Sequence, residues 1–226
     1  MLFMTVPTAG SHPELLDALI RDCGLPPDHI IIVTTRPEVN LPPDVVRLED
    51  LDPPNIQRWW NRGIEEAKRR GATSVAVVND DITMTPQTLP ALQIRLIETG
   101  AAIASPSREP FPDGLHKRPL IPYEPRLWGS LWVLRLESGL LPDEDYVWWY
   151  GDCDLDIRAR TRHGGVVLVP VEYRHLHPGE GTAKSPELQA QSDRDAQRFE
   201  AQYARMLRLS RRYTLWRRRL RRGAES

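Results

Sequence analysis

Short apolar runs alternate along the first half of the chain with longer segments in which apolar residues recur at helical spacing. The runs are typical of strands buried on both faces, and the longer segments are typical of amphipathic helices. They predict strands at residues 2–6, 30–33, 45–48, 74–82 and 101–106, and helices at 13–22, 55–70 and 86–99. Pro7 is expected to end the first strand. Alternating strands and helices predict an α/β fold with a mostly parallel central sheet flanked by helices.

The pattern changes after residue 106. Residues 107–126 combine prolines, a glycine and charges without periodicity, and an irregular loop of this length inside a compact domain is usually functional. Strand character returns at 127–136 and 166–169, and a helix is expected from Asp152 to the Gly164-Gly165 pair. The chain is therefore predicted to form one α/β domain with a C-terminal extension.

The extension is strongly basic. Residues 188–220 have helical character, and residues 205–222 contain nine arginines and no acidic residue. Because the formal net charge of the whole chain is −1, the rest of the chain is acidic. A basic C-terminal helix can pack on the acidic body, lie on an anionic membrane surface, or bind the phosphates of nucleic acid. The sequence leaves these three alternatives open.

Composition places the chain among globular proteins. Its 226 residues can bury a full core, and 40% hydrophobic and 27% charged residues are ordinary values for such a protein. The two cysteines provide neither a disulfide framework nor the spacing of a zinc site. No apolar run approaches the ~20 residues of a membrane span, and the first residues lack the pattern of a signal peptide. We therefore expect a cytoplasmic protein, with peripheral association with the membrane as an alternative.

The predicted strand at 74–82 runs into an amide and two carboxylates, Asn79, Asp80 and Asp81. Ligands of open α/β sheets sit outside the carboxyl ends of the strands, so these side chains are expected where a ligand binds. Hard oxygen ligands suit Mg²⁺ or Mn²⁺, and such an ion would hold a diphosphate. The alternative is that these residues only cap the next element, because Asn and Asp favour turns and helix starts.

A second acidic cluster, Asp152, Asp154 and Asp156, follows three aromatic residues at 148–150. Acidic residues are favoured in the first turn of a helix by the helix dipole, which explains one or two of them without any catalytic role. The neighbouring aromatic residues offer a stacking surface for a sugar or a base. Their bulk can also raise the pKa of a carboxyl group towards general-base work.

His175 and His177 lie on one side of a predicted extended segment. One imidazole could be a further ligand of an ion held by Asp81, although paired histidines are more often ordinary surface or core residues. The following residues 178–182 are expected to form a flexible loop that could order over a ligand.

Taken in order, these features resemble family 2 glycosyltransferases of the GT-A fold. The resemblance covers about residues 2–182. The matching motifs are Asn79-Asp80-Asp81-Ile82 with Pro86 and Leu89 for the acidic strand end, Asn61-Arg62-Gly63-Ile64 with Ala67 for an upstream helix, Gly129-Ser130 for a later strand, Asp152-Cys153-Asp154-Leu155-Asp156-Ile157-Arg158 for the acidic helix start, and His175 or His177 after the last strand. The resemblance implies a GT-A (Rossmann-like) domain.

The activity that the resemblance implies is metal-dependent transfer of a sugar, with inversion, from a nucleotide-diphosphate sugar to an acceptor hydroxyl. A UDP-sugar is the expected donor, with Mn²⁺ or Mg²⁺ as the metal. Residues 1–106 would form the nucleotide-sugar-binding half, 107–182 the acceptor half and 183–226 a helical basic extension. The acceptor, whether a glycan, a lipid, a protein or a modified nucleic acid, stays open.

The resemblance also implies roles for individual residues. Asp81 would bind the metal, with His177 or His175 as a later ligand. Asp152 would deprotonate the acceptor, and Asp154 is the second candidate for this base. The expected nucleotide-side residues are Val6, Pro7, Thr8, Asn61, Asn79 and Asp80, and the expected acceptor-side residues are Trp128, Gly129, Ser130, Trp148 and Trp149.

Two positions depart from the family pattern. The family often has Asp after the second strand, where this chain has Thr34-Thr35-Arg36, and it usually has Glu before the acidic motif, where this chain has Gly151. The identity of the nucleotide and the choice between Asp152 and Asp154 therefore stay open.

Two other functions remain alternatives. A nucleotidyltransferase would need a glycine-rich, basic phosphate loop near the first strand, and residues 8–12 contain one glycine and neither Lys nor Arg. A non-catalytic module that binds a carbohydrate or a partner on the same fold would not need the carboxylate of Asp152 for its function.

Overall fold

The structure is a computed structural model that describes residues 1–118, 121–177 and 186–224, with side chains to residue 216. The strands are β1 Leu2–Thr8, β2 Ile30–Thr34, β3 Val46–Glu49, β4 Ser74–Val78, β5 Ile82–Met84, β6 Ile103–Pro106, β7 Gly114–His116, β8 Leu131–Arg135, β9 Val166–Val169 and β10 Tyr173–His175. The helices are α1 Pro13–Asp22, α2 Ile56–Arg69, α3 Thr88–Thr99, α4 Gly151–Arg162, α5 Pro186–Gln202 and α6 Ala204–Ala224.

Eight of the strands form one sheet in the order β3-β2-β1-β4-β8-β6-β9-β7. The first four strands of this order are parallel, and β9 is parallel to β6. Strand β8 is antiparallel to both of its neighbours, and β7 is antiparallel to β9. The predicted α/β class with a mostly parallel sheet is thus confirmed.

Helices cover both faces of this sheet, because alternate residues of each strand point to opposite faces. Met4 and Val6 of β1 belong to an apolar cluster that includes Leu16 of α1 and Leu92 of α3. Phe3 belongs to a second cluster, which includes the apolar residues of α2 and α4. A strand buried on both faces must be apolar throughout, as the predicted strands are.

Helix α2 shows how the sequence sets an element's bounds. The Asn55 side chain accepts a hydrogen bond from the Arg58 amide at 3.0 Å and caps the first turn. Gly71, with φ of +85°, follows the last turn in the left-handed region that favours glycine. The predicted stripe packs on the sheet, with Trp59, Trp60, Ile64 and Ala67 all buried.

Several predicted bounds differ from the structure. Strand β1 continues through Pro7 to Thr8, because Pro7 lies beyond the last residue that pairs with β4 and the missing amide hydrogen is tolerated there. Strand β4 ends at Val78, and Ile82–Met84 instead pairs with β10 in a separate two-stranded sheet. The irregular segment 107–126 contains the short strand β7, and β8 begins only at Leu131.

The basic extension forms two helices rather than one. Buried Phe199 of α5 packs against Tyr146 and Ile157 of the body. Ser210 of α6 accepts a hydrogen bond from the backbone amide of Tyr123 at 2.8 Å. Residues 178–185, which include the predicted flexible loop, and the side chains of the last five arginines lie outside the described part of the chain. Within that part, no helix combines the length and the apolarity that crossing a bilayer requires.

A glycine of α2 makes the helix approach β1 closely. A Cβ atom on Gly63 would lie 1.8 Å from Oγ1 of Thr5. We expect Gly63→Ala to lower the free energy of unfolding by about 1–3 kcal/mol through overpacking. At a helix position without such a contact, replacing Gly by Ala raises the free energy of unfolding by roughly 0.5–1 kcal/mol. The direction of the change in stability therefore distinguishes the two situations. Urea unfolding of Gly63→Ala beside Glu65→Ala, at an exposed position of the same helix, measures it; a raised midpoint for the glycine variant would contradict the close contact.

Candidate functional site

A cavity of about 320 Å³ opens at the carboxyl ends of β1 and β4, which is the edge where a parallel sheet binds ligands. Its volume is near the lower end of the usual range for small-molecule sites. The lining residues come from the loop after β1, the start of α2, the acidic end of β4, the aromatic segment before α4 and the histidine segment. They are Pro7, Thr8, Ala9, Ser11, His12, Ile56, Trp59, Asn79, Asp80, Asp81, Trp148, His177 and Leu188.

Asp81 is the buried carboxylate of this cavity. Its Oδ2 atom lies 3.1 Å from Nε2 of His175, and its backbone oxygen accepts a hydrogen bond from the Leu176 amide at 3.0 Å. Burial alone would raise the pKa of Asp81, but the hydrogen bond and charge of His175 outweigh it and lower the pKa below its usual value. Among the described residues, no side chain or backbone group forms a hydrogen bond with the buried Oδ1 atom. Asp81 is therefore an ionised carboxylate with one oxygen left for a ligand.

Asp80 is held by Thr8, the last residue of β1. Oγ1 of Thr8 donates a hydrogen bond to Oδ2 of Asp80 at 2.5 Å and accepts one from the Gly10 amide at 2.9 Å. Burial raises the pKa of Asp80, and the neighbouring charge of Asp81 acts in the same direction. The two adjacent carboxyl groups thus differ in environment, and Asp80 serves to join two walls of the cavity.

Aromatic rings form much of the remaining wall. Trp59 of α2 and Trp148 meet edge to face with ring centroids 5.7 Å apart. His12 and His177 stack at 4.9 Å with almost parallel planes. These flat faces beside a carboxylate pair suit a ligand that combines a planar ring with negative charge.

Asp152 lies at the start of α4, beside the beginning of β8. Its carboxylate accepts hydrogen bonds from the amides of Gly129 at 3.2 Å and Cys153 at 2.9 Å. Burial raises the pKa of Asp152 despite these two donors. One residue further along, the Ser130 carbonyl accepts a hydrogen bond from the Asn79 amide at 2.9 Å. The peptide at 129–130 therefore connects Asp152 with the acidic end of β4.

Asp154 and Asp156 have other surroundings. Both Asp154 oxygens are engaged, one by Arg158 at 2.6 Å and the other by Gln202 and Tyr203 of the C-terminal segment. Asp156 is buried against Arg160 at 3.2 Å, and burial raises its pKa to about 6. Asp154 thus joins α4 to the C-terminal helices, and the geometry favours Asp152 over it as a base.

Some of the predicted site residues line the cavity, and others lie elsewhere. Pro7, Thr8, Asn79, Asp80, Asp81, His177 and Trp148 line it. Val6 is fully buried in the core instead of lining the cavity. Asn61 donates to the Pro142 carbonyl and the Glu144 carboxylate, and so it supports the segment before α4. Trp128 lies under the guanidinium of Arg108, 4.0 Å from the ring centroid.

Gly151, where the resembled family usually has Glu, is explained by Gln57. A Cβ atom on Gly151 would lie 2.2 Å from Nε2 of Gln57, so the side-chain amide of α2 occupies this space. Oε1 of Gln57 is buried and forms no hydrogen bond with any residue that the structure describes. A polar amide from another element therefore stands next to the helix start that carries Asp152.

Sequence reasoning missed several residues of the site. Ser11, His12, Ile56 and Leu188 line the cavity without belonging to any recognised motif, and Trp59 was assigned only to the buried stripe of α2. Asp195 of α5 was also missed. Nothing in the sequence indicated that His12 lies near the other cavity residues. Asp195, in contrast, is an acidic residue among the apolar residues of a predicted helix, and this pattern could have indicated a buried polar contact.

Asp195 organises the segment that leads into α4. The buried carboxylate accepts hydrogen bonds from the amides of Val147, Trp148 and Trp149, at 3.3, 2.9 and 3.0 Å. The next residue, Tyr150, has φ of 63°, a left-handed conformation that is uncommon for a non-glycine residue, and its ring stacks on Phe199. Helix α5 therefore holds the strained turn that places Trp148 in the cavity wall.

The described residues contain no group of three or more His, Cys, Asp and Glu side chains arranged to hold a metal ion. The chemistry of the donors nevertheless fits a divalent cation that is also bound by its substrate. Asp81 has a buried carboxylate oxygen that no described residue contacts by a hydrogen bond, and oxygen ligands with a diphosphate suit Mg²⁺ or Mn²⁺.

Comparison with known proteins identifies solved structures of similar fold. The sequence matches no protein-family model and no curated protein. Residues 1–349 of TarS from S. aureus superpose with a TM-score of 0.53 at 13% identity, covering 84% of this chain and 64% of that one. The crystal structure of S. aureus TarS gives 0.51 at 15% identity, covering 79% and 37%. TarS 1–349 in complex with UDP-GlcNAc gives 0.50 at 14% identity, covering 78% and 60%.

At these identities the likeness concerns the fold alone. The chain spans less than two thirds of each of these TarS chains. This likeness, together with the strand order and the flanking helices, shows that the chain has a GT-A-like fold.

Removing the Asp195 carboxylate leaves three backbone amides without their acceptor. We expect Asp195→Ala to lower the free energy of unfolding by about 2–4 kcal/mol, because hydrogen bonds to a charged group contribute roughly 1.5–3 kcal/mol each but exposed amides regain water. Tryptophan fluorescence during urea unfolding measures this loss of stability. Asp193→Ala, at an exposed position of the same helix, is the matched control; equal stability of the two variants would refute this role of Asp195.

Proposed function

We propose that this protein is a metal-dependent glycosyltransferase that resembles family 2. It would transfer a sugar, with inversion, from a UDP-sugar to an acceptor hydroxyl. The observation that carries the proposal is the Asp81 carboxylate at the ligand-binding edge of a GT-A-like sheet. His175 contacts one of its oxygens, and the other has no hydrogen-bond partner in the described part of the chain. The binding of UDP-GlcNAc by TarS, which shares the fold, supports UDP as the nucleotide.

On the donor side, the residues of the cavity would orient the nucleotide diphosphate. The aromatic wall of Trp59 and Trp148 offers a surface for a planar ring. Thr8 fixes Asp80 and so keeps the loop after β1 in place. Asp81 would hold Mn²⁺ or Mg²⁺ through Oδ1, with His175 and His177 as candidates for a further ligand. When bound, the ion supplies charge stabilisation to the departing diphosphate.

On the acceptor side, Asp152 would act as the general base. Its carboxylate would take the proton of the acceptor hydroxyl while the acceptor oxygen attacks the anomeric carbon and the bond from that carbon to the diphosphate breaks. The raised pKa of Asp152 makes it a stronger base than an exposed aspartate. The two amide donors, Gly129 and Cys153, keep the carboxylate in one orientation.

The two halves of the domain would contribute different residues to the reaction. Residues 1–106 contribute the acidic strand end and the loop after β1, and residues 107–182 contribute Asp152, Trp148 and the histidines. The acceptor side would comprise Trp128, Gly129, Ser130 and Trp149 together with Trp148. The extension from 183 supports this side through Asp195. The acceptor would be a glycan, a lipid, a protein or a modified nucleic acid.

Donor binding is tested without any turnover. A ligand that binds only the native state raises the melting temperature, by an amount equivalent to about 2.7 kcal/mol at a hundredfold excess over Kd. We expect UDP and UDP-sugars with Mn²⁺ to stabilise the protein, and GDP and TDP compounds not to do so. Asp81→Asn should abolish the Mn²⁺-dependent part, whereas Asp28→Asn, at an exposed position, should keep it. Equal stabilisation of both variants, or none by any nucleotide, would speak against the donor site.

The role of Asp152 is tested by separating binding from turnover. Asp152→Asn should reduce kcat by roughly 10²–10⁴-fold, the usual contribution of a general base, and should keep the thermal stabilisation by donor. Asp17→Asn, at an exposed position of α1, should leave kcat unchanged. Full turnover by Asp152→Asn would favour another base or a non-catalytic binding module.

The pH dependence gives a further signature. Transfer requires the ionised carboxylate, so kcat/KM should fall as the pH is lowered. Because burial raises the pKa of Asp152, the apparent pKa of this fall should lie above about 3.9, the value of an unperturbed aspartate. A fall with the unperturbed value, unchanged in Asp152→Asn, would contradict the assignment.

A further inference from the structure

A second cavity, of about 720 Å³, lies between α4, the start of α6, and the residues Arg118 and Ile121. Its floor is apolar and consists of Ile121, Ile157, Met206 and Leu209. It is lined by none of the residues of the donor cavity. An open apolar groove of this size on a surface helix indicates a binding site for something with an apolar part.

Three arginines, Arg118, Arg162 and Arg205, line the same cavity. No acidic residue lines it, and within the described residues none of the three guanidinium groups forms an ion pair. Other arginines of α4 and α6 differ: Arg158 pairs with Asp154, and Arg211 pairs with Glu200. Three guanidinium groups that line one cavity suit a phosphate or another multivalent anion.

Helix α6 continues this surface beyond the cavity. Arg205, Leu209, Arg212 and Trp216 follow one another at spacings of four, three and four residues, so they share one face of the helix. Leu209 is 40% exposed and Trp216 is 55% exposed. The helix rests on the body through Ser210, which lies on a different face. The exposed face therefore combines large apolar side chains with arginines, the composition of an interfacial amphipathic helix.

We propose that this second cavity binds the phosphate headgroup of an anionic membrane lipid. The three arginines would hold the phosphate, the apolar floor would take the first part of the acyl chain, and Trp216 would enter the interface beside it. A nucleic acid would use the same arginines for its phosphates, but it offers nothing that matches an apolar floor and an exposed leucine. The site is separate from the proposed sugar transfer and does not depend on it.

Vesicle binding by the full chain tests the site. We expect co-sedimentation with phosphatidylcholine vesicles that contain phosphatidylglycerol, and little with phosphatidylcholine alone. The triple variant Arg118→Gln, Arg162→Gln and Arg205→Gln should bind the anionic vesicles at least tenfold more weakly, because each basic residue near an anionic surface contributes on the order of 1 kcal/mol. The triple variant Arg21→Gln, Arg69→Gln and Arg95→Gln removes the same charge from exposed positions of the body and should bind as the unchanged protein does.

Further arms separate the sources of phosphate and the role of the floor. Leu209→Ser should weaken vesicle binding severalfold without changing net charge. Thermal stabilisation by UDP-sugar, measured on every variant, shows that the fold and the donor cavity are intact. Equal vesicle binding by the two triple variants would overturn the proposal. So would stabilisation by inorganic phosphate, or binding of duplex DNA, that depends on the three cavity arginines in a protein that does not bind anionic vesicles.

Discussion

The site depends on the parallel pairing of β4 with β1, which fixes where the polar residues of both strands emerge. The register places Thr5 opposite Val77, so the chain leaves both strands at the same edge of the sheet. Thr8 and Asp80 can then form a hydrogen bond, and Asp81 reaches the cavity wall. Since β4 is fully buried, a change in this register would exchange its two apolar faces and is strongly disfavoured. The precision of the site thus comes from the core beneath it.

The C-terminal segment belongs to the architecture of the site. Helix α5 supplies Asp195, which binds the amides that precede α4, and Phe199, on which Tyr150 stacks. Gln202 and Tyr203 complete the surroundings of Asp154. A positive φ at a non-glycine residue costs free energy and persists when its neighbours determine it. The aromatic wall and the proposed base are therefore positioned from outside the sheet.

Local chemistry explains how much the sequence could predict. The ends of α2 could be predicted from Asn55 and Gly71, because helix capping depends only on neighbouring residues. Buried strands could be predicted from apolar runs for the same local reason. The sequence predicted Ile82 as part of β4, because an apolar residue shortly after a strand does not reveal that a new strand begins. Its pairing with His175 is a long-range contact, which local sequence does not indicate. The contacts of Asp81 with His175 and of Asp195 with Trp148 likewise join distant parts of the chain. Motif order could place the acidic strand end in the site, but it could not distinguish Asp152 from Asp154, whose roles differ through tertiary partners.

The antiparallel direction of β8 has a consequence for how such a protein can diversify. Because β8 runs against β4, it is the beginning of β8, with Gly129 and Ser130, that meets the carboxyl ends of the parallel strands. The irregular segment 107–126 leads directly into that beginning, while the loops after β1 and β4 belong to separate connections. Insertions or deletions in this one segment can therefore reshape one wall of the active edge and leave the opposite wall unchanged. Under the proposed function, the donor side and the acceptor side would then be separated along the chain and could diversify independently.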